Sequence, residues 1–241
     1  MNTHTNFSTL TTSLSQNIRT LYATFTHTPD LIVRYFQKRN DGQSAALVYL
    51  ESLCNGEVIS NQVLKPLLSY NWTLEEIGSI LPLPFRTGVN RCNELIQAIL
   101  EGKCMLLIDG QNASILFDVF EIKQRTIEEP SAEKAIKGAH QGFIESANDN
   151  IALIRNYIQH PNLCIKEIQV GDFIQNRVSV LYIEDIASSE VRELLENRIQ
   201  TIRVRDLLST GELQELIEVH AFSPFPQCIV TERPDTAAFH L

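Results

Sequence analysis

Leu10, Leu14, Ile18, Leu21 and Phe25 are spaced four, four, three and four residues apart, which lays one apolar stripe along a helix and leaves its other faces polar. Phe143, Ala147, Ile151, Ile154 and Ile158 repeat that spacing. Each run reaches a proline, Pro29 or Pro161, whose missing amide and restricted predecessor end a helix. The text beyond the prolines is also parallel. Pro29-Asp30-Leu31-Ile32-Val33-Arg34 answers Pro161-Asn162-Leu163-Cys164-Ile165-Lys166, and Leu47-Val48-Tyr49-Leu50-Glu51 answers Val180-Leu181-Tyr182-Ile183-Glu184 with a one-residue slip. Between the paired segments lie Asn40-Asp41-Gly42 and Gly171-Asp172, residues suited to tight reversals. The chain thus contains an internal repeat of helix, strand, turn and strand.

A second helix is expected in each copy, on Val58, Ile59, Val63 and Leu67 in the first, and on Val191, Leu194, Leu195 and Ile199 behind a Ser188 cap in the second. Thr73 and Glu76 fit a capping box opening a short helix, Pro82 and Pro84 punctuate the connection after it, and residues 90–100 read as a further helix. Cys104 to Ile108 and Ser114 to Val119 then flank Asp109-Gly110, a hairpin signal. The second copy holds a comparable proline cluster in residues 222–226 and a helix-like run in residues 231–241, with no matching hairpin. Either the repeat is cut short or it diverged without one. The expectation is an α/β protein of two related subdomains, each a small mixed sheet flanked by helices. Residues 1–122 form the first and 138–241 the second. Residues 123–137 are charged, contain Pro130 and read as the linker, and residues 1–8 read as a frayed end.

Composition narrows the function. Hydrophobic residues make up 44% of the 241, enough for genuine cores, and no apolar run reaches the roughly 18 residues of a membrane helix. The formal net charge of −9 argues against a nucleic-acid partner, which would need accumulated Lys and Arg. Cys54, Cys92, Cys104, Cys164 and Cys228 are scattered and read as reduced thiols. No close Cys and His spacing suggests a metal, and no cofactor motif is present; Gly102-Lys103 lacks the rest of a phosphate loop.

The most unusual segment runs from Gly138 through His140, Glu145 and Asn148 to Asn150 and, one helical turn on, Arg155. Two glycines, a histidine and a carboxylate where a helix begins could line a cleft between subdomains or receive a small ligand, with His140, Glu145, Asn148, Asn150 and Arg155 as the candidate binding set. The competing reading is architectural: the glycines turn the chain into the second subdomain and Glu145 favours the positive end of the helix. His140, His160 and His220 have no serine or cysteine in a nucleophile context. Glu51 and Glu184 stand at equivalent strand ends, which the repeat explains without chemistry. No residue set predicts a catalytic centre.

Residues 138–186 resemble the signature of the GerA family of spore germination receptor A subunits: Gly138, Gly142-Phe143, Glu145-Ser146, Asn150-Ile151-Ala152-Leu153-Ile154-Arg155, Pro161-Asn162-Leu163 and Val180-Leu181-Tyr182-Ile183-Glu184. Ser223-Pro224-Phe225-Pro226-Gln227 and Thr231-Glu232-Arg233-Pro234-Asp235 are similar too, so the likeness covers most of residues 128–235. The resemblance implies a fragment: a hydrophilic N-terminal domain on the cytoplasmic side of the spore inner membrane, followed in the parent protein by membrane helices. It implies a part in nutrient-triggered germination, B and C subunits as partners, oligomers of A subunits, an amino acid or sugar as germinant, and no enzymatic step. After Thr-Glu-Arg-Pro-Asp the family continues with a Leu-Glu-Gly segment and an Asp-Gly turn. Ala139-His140 departs from the family's Pro-Arg or Pro-Lys, which weakens any role for a fixed positive charge there.

Overall fold

The structure, a computed structural model, describes residues 9–26, 28–120, 142–205, 209–218 and 227–241. Two compact units are distinguished: Met1–Gln124 with Ile158–Pro161, and Arg125–Tyr157 with Asn162–Leu241. The expected linker, the first eight residues and the proline cluster of residues 222–226 lie outside the described residues.

In the first unit α1 (Leu14–Thr24) starts behind Ser13, whose hydroxyl accepts from the Gln16 amide, and buries Leu14, Ile18 and Leu21. β1 (Leu31–Gln37) and β2 (Ser44–Leu50) form the expected hairpin, with Leu31 opposite Leu50. A helix follows in three segments, α2 (Gly56–Val58), a π-helical stretch (Ile59–Leu64) and α3 (Lys65–Ser69), capped by Asn55. It buries Ile59, Val63 and Leu67 completely, each contributing roughly 1.5–3 kcal/mol by leaving water. Next come α4 (Ile77–Ile80), β3 (Phe85–Val89), α5 (Cys92–Leu100), β4 (Lys103–Ile108) and β5 (Ser114–Asp118). The sheet order is β1-β2-β4-β5-β3.

Strand β2 explains why this unit is sturdy. Ala45, Leu47 and Tyr49 join the cluster built on Ile59, Val63, Leu67 and Trp72. The alternate residues Ala46, Val48 and Leu50 point to the other face, where α1 and α5 lie against the strand. With helices over both faces, residues 45–50 are all buried. Trp72 is held by its indole N–H donating to the Leu67 carbonyl at 2.9 Å, and the Lys38 ammonium sits 4.7 Å from its ring. Gly102, with φ +78°, turns the chain from α5 into β4, and a Cβ there would strike the Phe120 ring and lie 3.0 Å from the Leu53 carbonyl oxygen.

The second unit opens with α6 (Ala147–Tyr157), β6 (Leu163–Val170) and β7 (Asn176–Ile183). Leu163 lies opposite Ile183, matching Leu31 opposite Leu50, so the one-residue slip in the sequence sits in the hairpin and leaves its base in register. Helices α7 (Ser189–Thr201), α8 (Thr210–Ile217) and α9 (Pro234–His240) follow. One core cluster here holds Ile168, Val170, Val180, Ile199 and Ile202, with Leu195, Leu213 and Ile217 packed against it, and Ile151, Ile154, Leu163, Cys164 and Ile165 are buried as well.

The α/β class and the flanking helices are as expected, with five differences. Every strand pair is antiparallel, so the sheets are not mixed, because each neighbouring pair is joined by a hairpin or by a helical excursion that returns the chain in the opposite sense. Leu10 and Phe143 precede their helices. Val191 and Leu194, expected on the buried face of α7, are 64% and 48% exposed, since the two strands of that sheet among the described residues offer too little surface to cover them. Ser188 is the N-cap residue of α7 but its hydroxyl makes no cap bond. Strand β3 and helix α8 carry no signal strong enough to have been expected; β3 is an exposed edge strand containing Gly88.

Candidate functional site

The segment entering α6 is held by Asn150. Its Oδ1 accepts from the Ile144 amide at 2.8 Å and its Nδ2 donates to the Ile144 carbonyl at 2.6 Å, so one side chain satisfies both backbone groups of a residue six positions earlier. Ser146 supplies the cap, accepting from the Asp149 amide through Oγ at 3.4 Å. The first unit has the same device. Asn17 Oδ1 accepts from the Thr11 amide at 2.9 Å, Asn17 Nδ2 donates to the Thr11 carbonyl at 2.7 Å, and Ser13 caps. One position further back, the Leu10 amide donates to the Asn90 carbonyl and the Phe143 amide to the Glu232 carbonyl, both at 2.8 Å. The readable signal is a serine four residues before an asparagine that is followed by isoleucine, in both copies.

The five candidate residues are therefore differently placed. Asn150 is committed to the backbone of Ile144. Arg155 is buried, and its Nη2 donates to the Leu163 carbonyl at 3.2 Å, tying α6 to the start of β6. Glu145 and Asn148 are exposed on the entry to α6, and His140 lies outside the described residues. Glu145 and Asn148 are thus surface side chains, and among the described residues around α6 no nucleophile and base are in contact.

Other chemically capable residues are also engaged locally. Glu184 accepts from Arg192 at 2.8 Å, and that guanidinium lies 4.9 Å from the Tyr182 ring. The Glu184 amide donates to the Asn162 carbonyl at 3.1 Å and the Glu51 amide to the Asp30 carbonyl at 2.8 Å, so both glutamates close the base of a hairpin. Burial pushes the Cys54 thiol up to about 12 and the Cys104 thiol well above its ordinary value, so both stay protonated and unreactive. Asp109, at the β4–β5 turn, accepts from the Leu14 amide at 2.9 Å and so caps α1 from across the unit. Among the described residues no group of three or more His, Cys, Asp or Glu could hold a metal ion, and no helix is long and apolar enough to cross a membrane. The first unit contains a pocket of about 520 Å³ lined by Phe85, Arg86, Glu94, Gln97, Glu101 and Lys103 among others. The Lys103 ammonium, 2.9 Å away, holds the Glu101 carboxyl below its ordinary range.

Spore germination protein B1 of Bacillus subtilis (strain 168) is 31% identical over 92% of this chain and 47% of its own length. Spore germination protein KA of the same organism is 28% identical over 95% of this chain and 43% of its own. The chain thus spans about half the length of the curated relatives it matches. The crystal structure of the N-terminal domain of the A subunit of the Bacillus megaterium spore germinant receptor GerK3 shares the fold, with a TM-score of 0.73 at 24% identity over 98% of this chain and 90% of that one. A family model described as Bacillus/Clostridium GerA spore germination protein matches residues 19–241, and this chain belongs to that family.

Proposed function

We propose that this chain is the N-terminal domain of the A subunit of a spore germinant receptor, on the cytoplasmic side of the spore inner membrane. It takes part in nutrient-triggered germination by assembling with B and C subunits and further A subunits and by passing on the signal, with no catalytic step. The observation that carries this reading is the match to the germination family over residues 19–241. The local chemistry is compatible with it: Asn150, Arg155, Asn17 and Asp109 are bound up in architecture, and the second unit exposes Val191, Leu194 and Ile186, apolar side chains that a partner subunit would cover. Residues 1–122 and 138–241 are read as the two related subdomains. The test is Glu145→Arg with Asn148→Arg, both exposed, in the full receptor. Loss of co-purification with B and C subunits and slower germination, with unfolding of the isolated chain unchanged, is the expected result; intact assembly and intact germination would overturn it.

A second reading, direct binding of an amino acid or sugar, is favoured by the charged pocket of about 520 Å³, a size within the usual range of ligand sites. Binding there would rest on Arg86, Glu94 and Lys103, since none of the described residues of the candidate set lines that pocket. Thermal unfolding of the chain against a panel of amino acids and sugars distinguishes the two, because a ligand bound only to the folded state raises the midpoint saturably. A flat panel at millimolar concentration sinks this second reading.

A further inference from the structure

The two equivalent hairpins end in turns of opposite chemistry. Lys38-Arg39-Asn40-Asp41-Gly42-Gln43, between β1 and β2, is polar throughout, and its groups bond to one another: the Asp41 carboxylate accepts from the Gln43 amide at 3.0 Å and from the Lys38 ammonium at 3.1 Å. Gly171-Asp172-Phe173-Ile174-Gln175, between β6 and β7, places two large apolar side chains at its apex. Phe173 is 76% exposed and Ile174 50%. The first copy turns its hairpin without such residues, and neither Phe173 nor Ile174 joins the core cluster of the second unit. Folding therefore does not account for them.

The apex is nevertheless held in one place. The Asp172 amide donates to the Val204 carbonyl at 2.9 Å, and the Phe173 and Ile174 amides donate to the Arg205 carbonyl at 3.0 and 3.3 Å. That buttress is itself anchored, because Ile202 is buried in the core cluster and Val204 packs against it. The Arg205 guanidinium lies 5.4 Å from the centre of the Phe173 ring, so a cation and an exposed aromatic face are presented together. Residues 171–177 and 202–205 carry Arg177, Arg203 and Arg205 against Asp172. Arg177 is paired with Glu167 at 3.4 Å, which leaves the exposed Arg203 and Arg205 as a local positive surplus on a chain whose net charge is −9.

We propose that the apex of the β6–β7 hairpin is a membrane-contact site, at which Phe173 and Ile174 enter the boundary between headgroups and acyl chains while Arg203 and Arg205 meet anionic lipid phosphates. An arginine beside an apolar wedge suits that boundary, since its stem lies along apolar surface and its charged end reaches the headgroups. A bilayer accepts a projecting apex without a pocket shaped to it, whereas a protein partner would have to supply one. The proposal rests on the reading above only in placing a membrane beside this chain.

Flotation of the 241-residue chain with vesicles at about 5 mM lipid tests this, using phosphatidylcholine alone and phosphatidylcholine mixed with phosphatidylglycerol. Binding to the mixed vesicles is expected, weaker on the neutral ones and falling as salt rises. Phe173→Ser with Ile174→Ser should lower that binding at least about ten-fold. Arg203→Gln should lower it about five-fold on the mixed vesicles and leave the neutral ones nearly unchanged. All three side chains are exposed, so both variants should keep the unfolding midpoint of the unsubstituted chain. No binding to either vesicle overturns the proposal, and so does binding that the apex pair leaves unchanged. In the full receptor the same pair should leave co-purification with B and C subunits intact; loss of assembly without loss of vesicle binding would give the apex to a protein partner instead. Failure on vesicles leaves the germination reading standing, because assembly is read separately at Glu145 and Asn148.

Discussion

Asn17 and Asn150 show how a candidate binding residue can serve architecture. Each uses a whole carboxamide on the backbone of a residue six positions back, at distances between 2.6 and 2.9 Å. The residue type and its place beside a helix start were legible in the sequence, but the partner was not, because an asparagine on the first turn satisfies a loop or a ligand with the same two groups. The repeat decides between them: Ser13 with Asn17 and Ser146 with Asn150 are one device used twice. Asn17 is only 2% exposed, so Asn17→Ala opens a void as well as removing both bonds to the half-buried Thr11 backbone, and should cost about 2 kcal/mol. Half-buried Asn150 retains water as a substitute, and Asn150→Ala should cost about 1 kcal/mol. Urea unfolding of the two variants measures both. Equal and negligible losses would remove the architectural role and return Asn150 to the binding set.

Among the elements, helices at equivalent places in the repeat face different surroundings. The helix of residues 56–69 presses Ile59, Val63 and Leu67 into a core shared with β2, β4 and β5. Helix α7 has an apolar stripe of the same kind, but only Ile199 on it is buried. Hydrophobic periodicity reports which side chains share a face; it carries no information on whether anything lies opposite. Leu67→Ala should therefore cost about 3 kcal/mol and Leu194→Ala less than about 0.5 kcal/mol in chemical denaturation of the chain. Comparable losses would mean that Leu194 is covered. The hairpins were legible because turn residues act locally: Gly171 turns the chain at φ +108°, and a Cβ there would run into the Ile174 carbonyl oxygen. Strand β3 was missed for the complementary reason. Phe85, Arg86, Thr87 and Gly88 are exposed, and their placement comes from the partner β5 rather than from any alternation of their own.

At the scale of the whole molecule, the net charge of −9 makes the chain a poor ligand for polyanions, and it should pass unretained over immobilised DNA at physiological salt; retention that weakens steeply with salt would reveal a local basic surface. The sequence by itself determined the duplication, the helix and hairpin of each copy, the lack of a readable catalytic motif and the family resemblance. All of these rest on short-range spacing and on residue types whose backbone preferences do not depend on distant partners. Only the tertiary structure decided that Asp109 caps α1, that Asn150 and Arg155 hold the backbone around α6, and that Phe173 and Ile174 stand exposed at the β6–β7 turn. Those outcomes depend on which groups meet across long stretches of chain, and two copies with similar local patterns reach different burial because, among the described residues, one sheet has five strands and the other two.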